Sequence, residues 1–128
     1  MIQVALSMKV NKGVAFVAVR GKRQEIAEIK YGIVNDMFQR ESRGYGDRPS
    51  NYFGVAMEKL AVMMDTGTES GHIASADLKY GESSYRGGLM TVDDDYTIYT
   101  GFSGGTEDQD VEIAKVGMKM MLTKRSDE

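Results

Sequence analysis

The chain opens on an alternation. Ile2, Val4, Leu6, Met8 and Val10 share one side of an extended segment, and the valine-rich stretch Gly13–Arg20 follows across Asn11-Lys12-Gly13, a pattern that predicts a β-hairpin. From Arg23 to Glu41 the apolar positions Ile26, Ile29, Ile33, Met37 and Phe38 recur at steps of three and four with charges between them, which predicts a first helix. Residues 42–51 carry Gly44, Gly46 and the lone Pro49 and predict a loop. Asn51–Asp65 returns to helical spacing with Phe53, Ala56, Met57, Leu60, Ala61 and Met64, and Ser50 or Asn51 can cap that second helix.

Beyond a polar break, Ile73, Ala74, Ala76, Leu78 and Tyr80 predict a strand, and Leu89–Val92 another. Asp93-Asp94-Asp95 makes a turn, after which Tyr96, Ile98, Thr100 and Phe102 alternate with Thr97, Tyr99, Gly101 and Ser103 as a strand. Thr106 with Gln109 three residues later forms a capping box ahead of a last helix through Val111, Ala114, Met118 and Met121, whose end suits Lys119, Lys124 and Arg125. The order β-β-α-α-β-β-β-α predicts an α+β fold, an antiparallel sheet of about five strands with flanking helices. With 128 residues and no internal repeat or linker, a single domain over 1–128 is expected.

Composition narrows the chemistry. Hydrophobic residues are 41% and charged residues 27%, an ordinary globular mixture. No apolar run approaches the roughly 18–20 residues of a membrane helix. The N-terminus lacks a basic region, a long apolar core and a cleavage site, so a cytoplasmic location is expected. Cysteine is absent and His72 is the lone histidine, which excludes disulfides, thiolate nucleophiles and any site needing two imidazoles from one chain. Fifteen glycines against one proline leave the turns to glycine, and ten methionines fill the core or line an adaptable pocket. Charge is uneven: residues 1–48 hold nine Lys/Arg and five Asp/Glu, residues 49–128 seven and fourteen. That polarity suits an anionic partner at the first half or the pairing of opposite ends in a homo-oligomer.

The segment 101–118 joins a strand to a helix through Gly101, Gly104 and Gly105, where backbone can approach a ligand closely and helix N–H groups favour anions, although Glu107, Asp108 and Asp110 already place acids in the first turn. Gly101-Phe102-Ser103-Gly104-Gly105 also matches the G-x-S-x-G elbow of α/β-hydrolases, but that fold needs a longer chain and a histidine after the serine, whereas His72 precedes it. Arg20, Lys22, Arg23, Arg40, Arg43 and Arg48, with Tyr45 and Tyr52, could form a basic aromatic surface; a pI near 5.2 and the lack of an RNA-binding signature argue against nucleic acid. Asp93-Asp94-Asp95 and the acids at 107–112 lack EF-hand spacing, so no metal site is expected.

Gly87-Gly88-Leu89-Met90, the strand reaching Gly101-Phe102-Ser103-Gly104-Gly105, then Asp108 or Asp110, Ile113-Ala114 and Gly117, resemble the C-terminal half of the GlcG/HbpS family of haem-binding proteins, which includes the C-terminal domain of PduO cobalamin adenosyltransferases. Ala56 and Lys59 are similar to that family's A-x-x-K helix, and the resemblance spans about residues 52–120. Met90 stands in place of the family's proline, and Leu60 and Met63 in place of small helix residues. The family's long N-terminal helix, which bears a haem-linked histidine in some members, has no counterpart here, since residues 1–20 read as strands.

The resemblance implies a small oligomeric domain with helices flanking an antiparallel sheet that binds haem or a corrinoid-type tetrapyrrole, without catalysis. Here Gly101, Ser103 and Gly104 would offer close backbone approach and a hydroxyl, Met63 or Met64 an apolar wall, and Arg43 or Arg48 a counter-charge. Axial ligation by an imidazole could come only from His72. The alternatives are a structural or interaction protein assembling through its charge-polarised surfaces and a small hydrolase using Ser103.

Overall fold

Tyr96–Ser103, the most regular alternation in the chain, is a central strand in the computed structural model, which describes residues 1–23, 27–41 and 49–126. The elements are α1 (Ile2–Ser7), β1 (Gly13–Gly21), β2 (Ala27–Val34), α2 (Tyr52–Thr66), a 3-10 turn (Ser75–Asp77), β3 (Gly88–Val92), β4 (Tyr96–Ser103) and α3 (Glu107–Ser126). The strands form one antiparallel sheet in the order β2-β1-β4-β3. The α+β class stands, with four strands in place of about five.

Period-two burial puts the two sheet faces against different helices. Val14, Phe16, Ala18 and Tyr99 pack against Tyr52, Ala56, Leu60 and Met63 of α2. Ala15, Val34 and Phe102 pack against Ala5 of α1, Val10 and Ile113 of α3. Because both faces are covered, the central strands β1 and β4 are buried almost continuously along part of their length. Phe16, Phe102, Met63, Ile98 and Ile113 are each under 2% exposed and contribute roughly 1.5–3 kcal/mol apiece by burial. No helix among the described residues is long and apolar enough to cross a membrane.

The caps form as expected. Asn51 accepts from Gly54 N–H at 2.8 Å, opening α2. At α3, Gln109 N–H donates to Thr106 Oγ1 at 3.2 Å and Thr106 N–H donates to Gln109 Oε1 at 2.9 Å, a reciprocal capping box. Asp93 Oδ1 accepts from the N–H groups of Asp95 and Tyr96, which tightens the β3–β4 turn.

Three expectations are corrected. Residues 2–7 are helical, not a strand: helical pitch turns Ile2 and Ala5 toward the sheet and leaves Leu6 49% exposed, and Ile2 settles over Gly32 of β2. The first helix expected over 23–41 is instead a strand over 27–34, paired from Gly13↔Val34 to Arg20↔Ala27; Ile29 and Ile33 satisfy a helical step of four, but with Tyr31 they also satisfy a step of two, and pairing with β1 decided between them. The expected strand at 73–80 is replaced by a short 3-10 turn, Ser75–Asp77, flanked by Ile73 and Leu78, which pack against the α2 core.

Candidate functional site

The bend after β4 is built by glycine at the point where two chain segments touch. Gly104 has φ +144°, and a Cβ there would run into the main chain of Lys12 and Gly13, so a side chain is excluded on both grounds. Gly101 serves a different end: the Phe16 ring lies where its Cβ would be, and the glycine lets a fully buried aromatic ring cross the sheet. Gly101 is thus a packing residue beneath the core, while Ser103 and Gly104 stand at the rim of an open cavity.

That cavity has a volume of about 220 Å³ and lies between the first two turns of α2, the bend and the start of α3. Tyr52, Val55 and Tyr85 supply its apolar and aromatic walls; Ser50, Ser103, Gly104 and Gly105 supply hydroxyls and main chain; Lys59, Glu107 and Asp110 supply charge. Tyr52 is held by its hydroxyl, 3.2 Å from Gln39 Oε1, whereas Tyr85 is 55% exposed.

A buried ion pair fastens the cavity floor. Lys59 Nζ, on α2, donates to the carbonyl of Phe102 at 2.7 Å and to Asp110 Oδ2 at 3.0 Å. Asp110 Oδ1 in turn accepts from Gly105 N–H at 2.9 Å. Lys59 is 1% exposed and Asp110 4%. One contact therefore ties helix α2, the end of β4, the bend and helix α3.

Burial dominates the titration of both groups. It pushes the Asp110 carboxyl up to about 6, against the attraction of Lys59 and the Gly105 hydrogen bond, and nearby Glu107 pushes the same way. Burial also holds the Lys59 ammonium below its usual range despite Asp110 beside it. Each partner is drawn toward neutrality because removing two charges from water costs more than their attraction returns. At the outer wall, Glu107 accepts from the main-chain N–H of Arg86 at 2.9 Å, and the Arg86 guanidinium pairs with Asp108. With Lys59 matched by Asp110, Glu107 leaves the described walls with an excess of negative charge.

The remaining expected residues lie elsewhere. Met63 is fully buried in the α2 core, and Met64 is half-buried against it. His72 sits exposed on the loop after α2 and does not line the cavity that Ser103 borders. Arg43 and Arg48 lie outside the described residues. Among the described residues no group of three Asp, Glu or His side chains is placed to hold a metal ion. The residue that sequence reasoning undervalued is Lys59. Its signal was its position, three after Ala56 and four before Met63, on the arc of α2 that everything else marks as buried.

Fold and site together define a class: a three-layer α+β sandwich with a small open cavity at the end of a central strand, floored by a buried Lys–Asp pair. No family model, no curated protein and no solved structure matches the chain.

Proposed function

We propose that this chain is a small-molecule-binding domain that acts without catalysis, its ligand seated in the cavity beside the bend. The observation that carries the reading is the cavity itself, open to solvent and lined by Ser103, Gly104 and Gly105 at one end and by Tyr52 and Tyr85 at another. The GlcG/HbpS resemblance supports it further: the lysine of the A-x-x-K match, the carbonyl of Phe102 in the glycine-rich stretch and Asp110 at the acidic helix start meet within hydrogen-bond distance.

Size limits the occupant. Pockets for drug-sized ligands run to roughly 300–1,000 Å³, and this one is about 220 Å³. A tetrapyrrole would lie across the mouth with one edge inside, stacked against Tyr85; a smaller ligand would enter whole. The excess carboxylate, Glu107, favours hydrogen-bond donors over an anionic group at the outer wall. Binding is preferred to hydrolysis because Lys59 and Asp110 spend their hydrogen bonds on each other and on main chain, and no imidazole stands beside Ser103 to take its proton.

Haemin titration monitored at the Soret band tests the proposal. A saturable shift is expected; Tyr85→Ala should weaken it roughly two- to tenfold, the worth of an aromatic contact, and Ser50→Trp should weaken it by filling the exposed mouth. A titration that never saturates at micromolar protein removes the tetrapyrrole, and a shift indifferent to both substitutions removes the cavity as its seat.

A further inference from the structure

The two edges of the sheet are treated differently. At the start of β3 three outward main-chain groups are satisfied from within: Gly88 N–H donates to Ser70 Oγ at 2.8 Å, Met90 N–H donates to Glu69 Oε2 at 3.0 Å, and the Gly88 carbonyl accepts from Ser70 N–H at 3.2 Å. Those groups are unavailable to another strand. At β2, by contrast, strand pairing among the described residues is confined to the β1 side, and no described side chain bonds its main chain between Ala27 and Val34.

The side chains of β2 are equally unspent. Ile29, Tyr31 and Ile33 share the α2 face of the sheet and are 47%, 54% and 40% exposed, with Phe53 of α2 meeting the Tyr31 ring edge-to-face. On the opposite face Glu28 and Lys30 stand beside Val19 and Val17 of β1, and neither makes an ion pair with a described residue. An eight-residue edge left unpaired by the described residues, with a half-exposed apolar row, is an aggregation hazard unless something covers it.

We propose that a second copy of this chain covers it, β2 joining the same strand of its partner antiparallel about a two-fold axis through Ile29. Charge selects this register. With the axis at Ile29, Glu28 faces Lys30 of the partner subunit and Lys30 faces Glu28 of the partner subunit, Ile29 meets its own symmetry mate, and Ala27 lies opposite Tyr31 of the partner subunit. With the axis at Lys30, two ammonium groups confront one another. With the axis at Tyr31, Lys30 faces glycine and Glu28 faces valine, and both charges are left unmatched. A lysine in an edge strand normally discourages pairing; in Glu28-Ile29-Lys30 it opposes pairing about Lys30 and favours pairing about Ile29. The product is a continuous eight-stranded sheet. Its seam runs along the rim of an open groove of about 470 Å³ floored by Val17, Val19 and Met121. The pairing requires nothing of the cavity at the bend, so either proposal can fail alone.

Sedimentation equilibrium of the full chain, with Lys30→Glu, Glu28→Lys and the paired swap of both, tests it. At about 0.1 mM protein a dimer with a Kd near 1 µM is almost fully formed, and the wild type should sediment as one. Each single substitution sets like charges opposite each other on both sides of the axis and should weaken the dimer at least about tenfold, while the paired swap restores it. Both positions are exposed, so unchanged thermal midpoints of the single variants under dissociating dilution separate loss of pairing from loss of fold. A monomeric wild type at that concentration, or an assembly that responds equally to the single and the paired substitutions, overturns the proposal.

Discussion

Replacing Lys59 with methionine keeps an unbranched apolar stem as far as Cε but deletes the ammonium group, so it largely separates the ion pair from packing. Three groups lose by it. Asp110 is left buried without its counter-ion, the carbonyl of Phe102 loses its lysine donor, and the cavity floor loses its tie between α2 and α3. Removing one member of a buried pair costs about 3–5 kcal/mol, chiefly through the charge left behind. For a domain of this size each kcal/mol is roughly 3–5 °C in Tm, so Lys59→Met should melt about 10–25 °C below the wild type.

The cycle is completed with Asp110→Leu and with the double variant, each followed by urea denaturation at pH 7. Either single change should be severe. The double change removes both charges and should lie well above the sum of the two, within about 2 kcal/mol of wild type, because an apolar pair of similar volume replaces an ion pair at little cost. Single variants within about 1 kcal/mol of wild type, or costs that simply add, would refute the reading that these two residues hold the bend as one unit.

Acidity gives an independent check. The folded Asp110 carboxyl is pushed up to about 6 against 3.8 for an unfolded aspartate, so between those values the folded chain carries the extra proton. Its contribution to stability therefore grows as pH falls from 7 toward 4. Asp110→Asn should flatten that slope in urea titrations across pH 5–7, and an unchanged slope would remove Asp110 as its source. Lys59 acts at the other end: its lowered folded pKa means the unfolded chain binds the extra proton below 10.5, and stability there rises with pH. At the core, Gly101→Val should cost at least about 1–3 kcal/mol by forcing a side chain into the Phe16 ring, and Phe16→Leu in the same chain should return part of it. If denaturant melts find Gly101→Val neutral, close packing is not why glycine stands there.

How far the sequence reaches depends on whether an element's cause is local. Helices α2 and α3 were legible because Asn51, Thr106 and Gln109 make their caps with their own neighbours and the apolar stripes that follow are long. The β3–β4 hairpin was legible because Asp93 closes its own turn. The bend at Ser103-Gly104 announced itself through glycine. The partnership of Lys59 with Asp110 did not, for 51 residues separate them and only packing α2 and α3 around the end of β4 brings them together.

Where a pattern fitted two periods, local information ran out. Ile29 and Ile33 suit a helix or a strand, and the open edge of β1 chose the strand, since pairing satisfied a full row of main-chain groups. Ile2–Ser7 alternates like a strand, yet it is a helix of six residues, too short to persist alone in water. Met1 over Gly117 and Ile2 over Gly32 hold it in place, contacts that exist only once sheet and third helix have assembled. The amino-acid order by itself determined the class of fold, the capped helices and the glycine bend. Tertiary structure decided the helix at residues 2–7, the strand at 27–34 and the buried charge pair, because the energies that settle them lie in contacts between distant parts of the chain.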